Sequence, residues 1–240
     1  AVDRHGVRAS LIYVPPLQAA AAVMEALDAG IGLIVATAEG VPRHDAAVVV
    51  AAARESGARL VGFNTNGFIS PGRVRMGGMG GLDPDEVYPP GRVGICSRSG
   101  GMCSEIALAL GREGLGVSTA VAMGGDVITG LRMVDYVRLF EADEGTDAIV
   151  LFGEPGTSNE REVAEHIMRH GLRKPVVALI VGAFQESYEA GVSFGHAAAM
   201  IRDTADSATA KRAMLRKAGG LVASTLSEVP LLLQRGRSCN

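Results

Sequence analysis

Short apolar runs alternate along this chain with longer stretches in which apolar residues recur every third or fourth position. The runs predict strands over 10–14, 32–37 and 59–63. The periodic stretches between them predict helices over 17–29 and 45–55, each closed by a glycine, Gly30 and Gly57. The strands are apolar almost throughout, as in Leu33-Ile34-Val35-Ala36, which is the pattern of a parallel sheet covered on both faces. Residues 64–90 break the rhythm with Met76-Gly77-Gly78-Met79-Gly80-Gly81 and with Pro84, Pro89 and Pro90, and read as a linker or excursion. The alternation then restarts, with strands over 92–96, 118–123, 147–152, 175–181 and 221–223. Helices are expected over 102–113, 133–142, 160–170, 205–217 and 226–234, the last containing Pro230. Right-handed βαβ crossovers turn this order into two doubly wound α/β units in tandem. Only three strands fall in the first unit, few for a covered sheet. Either residues upstream lie outside this chain or another polypeptide completes that sheet.

Composition narrows the setting. Across 240 residues the apolar share is 48% and the aromatic share 4%, with 32 Gly and no Trp. Small side chains of this kind let helices pack closely on a sheet. A net charge of −3 gives no electrostatic reason to bind nucleic acid or an anionic membrane. Cys96, Cys103 and Cys239 form neither a CxxC pair nor an even disulfide framework, so a reducing, cytoplasm-like compartment and no metal site are expected. No apolar run reaches 18 residues, and Ala-Val-Asp-Arg-His does not resemble a signal peptide. The expectation is a soluble intracellular protein.

Ligands of open α/β sheets gather where strands hand over to helices, so the chemistry is sought in those turns. Ser97-Arg98-Ser99-Gly100-Gly101-Met102 follows one strand and opens a helix. Backbone N–H groups and the helix dipole there make an anion site, with Ser99, Gly100 and Gly101 as phosphate binders. The plainer reading is a tight turn with Ser99 as N-cap. His196, in Ser193-Phe194-Gly195-His196-Ala197-Ala198-Ala199-Met200, has small neighbours that leave room for a phosphoryl group on its ring, although a lone histidine more often has a structural role. Glu39 and Glu154 each end a strand, where a carboxylate either orients an imidazole or caps a turn. Asp126, after Gly124-Gly125, is as readily structural as functional, and Val14-Pro15-Pro16 forms a rigid turn able to hold a ligand's chain.

Taken together, IYVPP, AEGVP, SRSGG, GGD, FGEPG and FGHAAAM stand in the order, and near the spacing, of the α subunit of succinyl-CoA synthetase. The chain resembles that family, including the CoA-ligase part of ATP-citrate lyase and the small subunit of citryl-CoA synthetase, from about Arg8 onward. SRSGGM and VSFGHAAA look closer to the citrate branch. The resemblance implies a partial Rossmann-like CoA-binding unit over 1–88, its N-terminal half absent, and a flavodoxin-like doubly wound ligase domain over 89–240. It implies that His196 carries a phosphoryl group, that Glu154 steadies it, and that Glu39 lies near the histidine and thioester. Ser99, Gly100 and Gly101 match the phosphate-binding helix start, and Val14, Pro15 and Ala38 fall where coenzyme A contacts belong. The implied partners are an ATP-grasp β-type subunit, which would hold ATP or GTP with Mg, and a small di- or tricarboxylic acid. Neither nucleic acid nor membrane is implied. The chain departs from the family at Gly62-Phe63-Asn64-Thr65-Asn66-Gly67, where GPNCPG is common, at Ala198 of GHAAA and at Pro155 and Thr157 of GEPGT. These changes and the missing first segment leave a second expectation open, a divergent binding or regulatory module without ligase turnover.

Overall fold

A computed structural model describes residues 2–189, 191–192, 194–196 and 198–237; Cys239 lies outside the described residues. The chain opens with a turn of helix, α1 (Val2–His5), and continues as β1 (Ala9–Ile12), α2 (Pro16–Asp28), β2 (Leu33–Ala36), α3 (Arg43–Glu55) and β3 (Arg59–Val61). These three strands form a parallel sheet in the order β1-β2-β3. Pro16 starts α2 where its missing N–H costs no bond. Ala19, Val23 and Ala26 of α2, with Ala46, Val49, Val50 and Ala53 of α3, cover one face of this sheet through Ile34, Ala36 and Leu60. Val35 and Val61 point the other way and join a core with Met123, Met133 and Val134 of the larger unit. The backbone seals that junction: Gly130 N–H donates to the Gly62 carbonyl at 2.7 Å and Leu131 N–H to the Leu60 carbonyl at 2.8 Å.

The remainder comprises β4 (Gly67–Ser70), β5 (Val74–Gly77), α4 (Pro84–Val87), β6 (Pro90–Ser97), α5 (Gly100–Arg112), β7 (Val117–Ala122), α6 (Met133–Ala142) and β8 (Ala148–Gly153). It ends with α7 (Asn159–His170), β9 (Val176–Ile180), α8 (Ala208–Lys217), β10 (Leu221–Ala223) and α9 (Glu228–Arg237). The seven-stranded sheet runs β10-β9-β8-β6-β7-β4-β5, with β6 to β10 parallel to one another. Alternate strand residues face two cores. Ile149, Leu151 and Ala178 meet α6, α7 and α8, whereas Ile95, Val150 and Val177 meet α5 and α9. This is the doubly wound arrangement the pattern predicts, in the flavodoxin-like order the resemblance implies. The winding reverses between β6 and β8, so the ends of these neighbouring strands flank the crevice where open sheets bind ligands.

Three expectations are corrected. The stretch 64–90 is not a bare linker, because β4 and β5 form an antiparallel hairpin that adds to the larger sheet at β7. Its signal was Pro71-Gly72, a turn in which Gly72 takes φ +70° and Arg73 N–H donates to the Ser70 carbonyl. The strands it joins are short and partly exposed, so they show no apolar run. Helix α8 begins at Ala208 rather than 205, because Ser207 caps it by accepting from Ala210 N–H at 3.1 Å. Helix α9 runs 228–237, and Pro230 sits in its first turn, where no intrahelical N–H bond is lost.

Candidate functional site

The turns after β6 and β8 bring four buried charges together. Arg98, directly after β6, is 1% exposed, and its Nε donates to Glu154 Oε1 at 3.0 Å. Another guanidinium nitrogen donates to the carbonyls of Gly125 at 3.1 Å and Asp126 at 3.4 Å. Lys211, from α8, places Nζ 2.8 Å from the Glu154 carbonyl and 2.5 Å from Glu160 Oε2, and also donates to the Gly156 carbonyl. Glu160 in turn accepts from the Glu154 backbone N–H at 3.2 Å. Two cations thus balance two carboxylates, which is how buried charge is tolerated.

His196 completes the group. Its Nδ1 lies 3.0 Å from both Glu154 oxygens. An ionised carboxylate only accepts, so Nδ1 carries a proton, and in the neutral ring Nε2 keeps its lone pair. Burial works to raise the Glu154 pKa, but the His196 hydrogen bond and the Arg98 charge outweigh it and leave it below its ordinary 4.5. The Glu154 hydrogen bond holds the His196 imidazole above its ordinary 6.5, against partial burial. The ring packs over Gly125, where a Cβ would stand 3.0 Å from the ring carbon Cδ2, so a side chain there displaces the imidazole.

These shifts set a pH window for stability. The raised imidazole pKa stabilises the fold fully below 6.5 and loses that contribution as pH climbs through the raised value. The lowered carboxylate pKa stabilises it fully above 4.5 and loses that contribution as pH falls through the lowered value. The stability difference between the wild type and His196→Ala, measured by urea unfolding from pH 4 to 9, is therefore expected to peak between about 4.5 and 6.5. A difference flat across that range contradicts the pairing.

Ser99 caps α5, accepting from Met102 N–H at 3.4 Å. The first backbone bond of that helix is Cys103 N–H to the Ser99 carbonyl at 3.1 Å, so the Gly100 and Gly101 amides precede the intrahelical ladder. Gly100 lies against the Asn66 side chain, only 2.1 Å from where its Cβ would be, whereas Gly101 faces open space. Ser99, Glu154 and His196 line one cavity of about 480 Å³, together with Phe152, Phe184, Gln185 and Phe194. Glu39 stands exposed after β2, and its charge acts on both His196 and Asp126. Asp126 joins the two units: it accepts from Asn64 Nδ2 at 3.2 Å and from the Gly40 backbone N–H. Val14, Pro15 and Ala38 sit on the carboxyl edge of the small sheet and are not among the residues lining the cavity beside His196. Both described cysteines are buried, which pushes the Cys103 thiol up to about 12 and Cys96 well above its usual range, so neither serves as a thiolate.

Sequence reasoning missed Arg98, Glu160 and Lys211. The last two carried a signal, because Lys211 falls in step with Ala208 and Leu215 on the core face of α8, and Glu160 with Val163, Ala164 and Ile167 on α7. A charge on an apolar helix face needs a buried partner.

The comparisons with known proteins agree with this architecture. Residues 90–234 match the family model described as the succinyl-CoA ligase like flavodoxin domain, and residues 1–40 match the CoA binding domain. The fold and site thus define an α/β protein of the acid–CoA ligase class. The chain is 42% identical over 229 residues to succinate–CoA ligase [ADP-forming] subunit alpha 1 of Archaeoglobus fulgidus, covering 95% of this chain and 76% of that one. It is 38% identical over 236 residues to an ADP-forming sulfoacetate-CoA ligase subunit of Bilophila wadsworthia, with coverages of 97% and 78%. ATP citrate lyase from Methanothrix soehngenii, solved with citrate and coenzyme A, superposes with a TM-score of 0.91 at 29% identity. That match covers 97% of this chain but 38% of the lyase, so the chain spans well under half of it. The chain belongs to the α-subunit family of ADP-forming acid–CoA ligases typified by succinate–CoA ligase. The resemblance read from its motifs is borne out. No helix among the described residues is long and apolar enough to cross a membrane.

Proposed function

We propose that the chain is the phosphoryl-relaying α-type subunit of an acid–CoA ligase, with His196 as the carrier. The observation that carries this reading is the Glu154-held imidazole, which keeps Nδ1 protonated and Nε2 free beside an open α5 N-terminus. In the acid-activating direction Nε2 attacks the terminal phosphorus of ATP or GTP, the bond to the nucleoside diphosphate breaks, and the Nδ1 proton stays in place against Glu154. His196 then gives the phosphoryl group to the acid's carboxylate, releasing a neutral ring and an acyl phosphate. The CoA thiolate displaces phosphate to form the thioester. Ser99 and the amides of Gly100 and Gly101 meet the phosphoryl charge at the positive end of α5. Glu39 is read as acting near the thioester, and Val14, Pro15 and Ala38 as lying against coenzyme A. An ATP-grasp β-type partner would supply the nucleotide and Mg, in a cytoplasmic setting suited to reduced thiols.

The acid is a small carboxylate, and the relatives' own names favour succinate, sulfoacetate and citrate as first candidates. The chain, coexpressed with an ATP-grasp partner, is assayed for CoA-dependent ADP or GDP release with each of these and with malate. One acid is expected to give a kcat/KM at least about tenfold above the others, a gap of about 1.4 kcal/mol in transition-state binding. Absence of CoA-dependent ADP or GDP release with every acid, in a complex that binds nucleotide and CoA, would replace the enzyme reading with a binding module.

A further inference from the structure

Glu154 is held from two sides, and only one of them is the imidazole. Arg98 grips the carboxylate through Nε and reaches with a second nitrogen to two carbonyls of the turn after β7. That turn is the surface on which the His196 ring rests, through Gly125. A single guanidinium therefore spans the group that orients the imidazole and the surface that supports it. Arg98 lies 99% buried, and its remaining terminal nitrogen has no protein partner among the described residues. Leaving buried donors unmet costs stability, so a fold does not keep such a residue for packing alone.

We propose that Arg98 is a positioning residue of the phosphoryl relay, its fork locking the Glu154 carboxylate and the Gly125–Asp126 turn into one unit so that His196 presents Nε2 in a single direction. This rests on the reading of His196 as the carrier. Arg98 acts through Glu154 and does not touch the phosphoryl group. Its planar fork suits a two-point hold that a lysine cannot reproduce. It also bears on the charge of the ring. Three charged groups bear on the imidazole: Glu154 from the β8 turn, Arg98 from the β6 turn and Glu39 from the β2 turn. Asp126, on the turn beneath the ring, is engaged instead by Asn64 and Gly40. Glu154 and Glu39 favour the protonated ring, whereas Arg98 opposes it. Without Arg98 the buried carboxylate would have the imidazolium as its nearest cation, and the ring would stay protonated, with no lone pair for phosphorus, to higher pH.

The test uses the full chain, with phosphoramidate as the phosphoryl donor. Phosphohistidine is read by ³¹P NMR, which separates Nδ1 from Nε2 attachment, and the imidazole titration by ¹H–¹⁵N NMR. The wild type is expected to give an Nε2 adduct on His196, identified by its loss in His196→Asn. Arg98→Met is expected to react about tenfold or more slowly, to divide the adduct between the two nitrogens, and to shift both the imidazole midpoint and the acidic limb of the rate to higher pH. Arg98→Lys is expected to restore the midpoint and leave the rate reduced. Wild-type rate, nitrogen and midpoint in Arg98→Met overturn the proposal. Should that variant not fold, wild-type behaviour of Arg98→Lys in all three readouts overturns it. A wild type that takes no phosphoryl group on His196 fails at the relay itself, an outcome distinct from an unaffected arginine variant.

Discussion

Replacing His196 by asparagine is expected to abolish acid-dependent ADP or GDP formation by the complex, lowering kcat by at least about 1,000-fold. Asparagine keeps an N–H donor of similar reach for Glu154, so the buried carboxylate stays satisfied and the fold survives. What is lost is the nucleophile. With no covalent intermediate, the phosphoryl group has no route from nucleotide to acid, and binding of CoA or nucleotide alone does not replace it. Thermal unfolding of the variant should stay within a few degrees of the wild type, which separates lost chemistry from lost structure. Turnover within about tenfold of the wild type contradicts the assignment.

Lys211→Met is expected to have the largest effect on stability, about 3–5 kcal/mol, because it strips the cation from a pair in which Glu160 is fully buried. For a chain of this size that corresponds to a fall in Tm on the order of 10 °C. The damage also reaches the site. Lys211 Nζ ties the carbonyls of Glu154 and Gly156 to α8, and Glu160 ties the Glu154 amide to α7, so the turn that carries Glu154 loses its anchors together. Combining Lys211→Met with Glu160→Gln removes the uncompensated charge and should recover a good part of the lost stability. Calorimetry of both variants measures this. A single variant within about 1 kcal/mol of the wild type, or a double variant less stable than the single one, contradicts the buried-pair argument.

Much of this architecture was legible in the sequence because burial on both faces forces β8 and β9 into apolar runs, and because helix faces such as Val163, Ala164 and Ile167 repeat at helical spacing. The turns where strands hand over to helices were the places to look for the site, and the structure brings His196, Glu154 and Ser99, each from such a turn or loop, into one cavity. The hairpin of β4 and β5 was hidden because half-exposed strands at a sheet edge carry no apolar run. Arg98 was hidden for another reason. A single arginine in Ser97-Arg98-Ser99 looks like a solvated turn residue, and only the fold places Glu154 and the Gly125 carbonyl around it. Partners distant in sequence leave no local pattern. Glu39 was left open between orienting an imidazole and capping a turn, and in the structure its charge acts on His196.

The relay through His196 is tested most directly by mass spectrometry of the chain in complex with its ATP-grasp partner, once after Mg-ATP and once after acyl-CoA with phosphate. An acid-labile phosphoryl group on the peptide carrying His196, formed from both directions and discharged by the opposite set of substrates, is the expected result. A complex that turns over while His196 remains unmodified from either direction contradicts it.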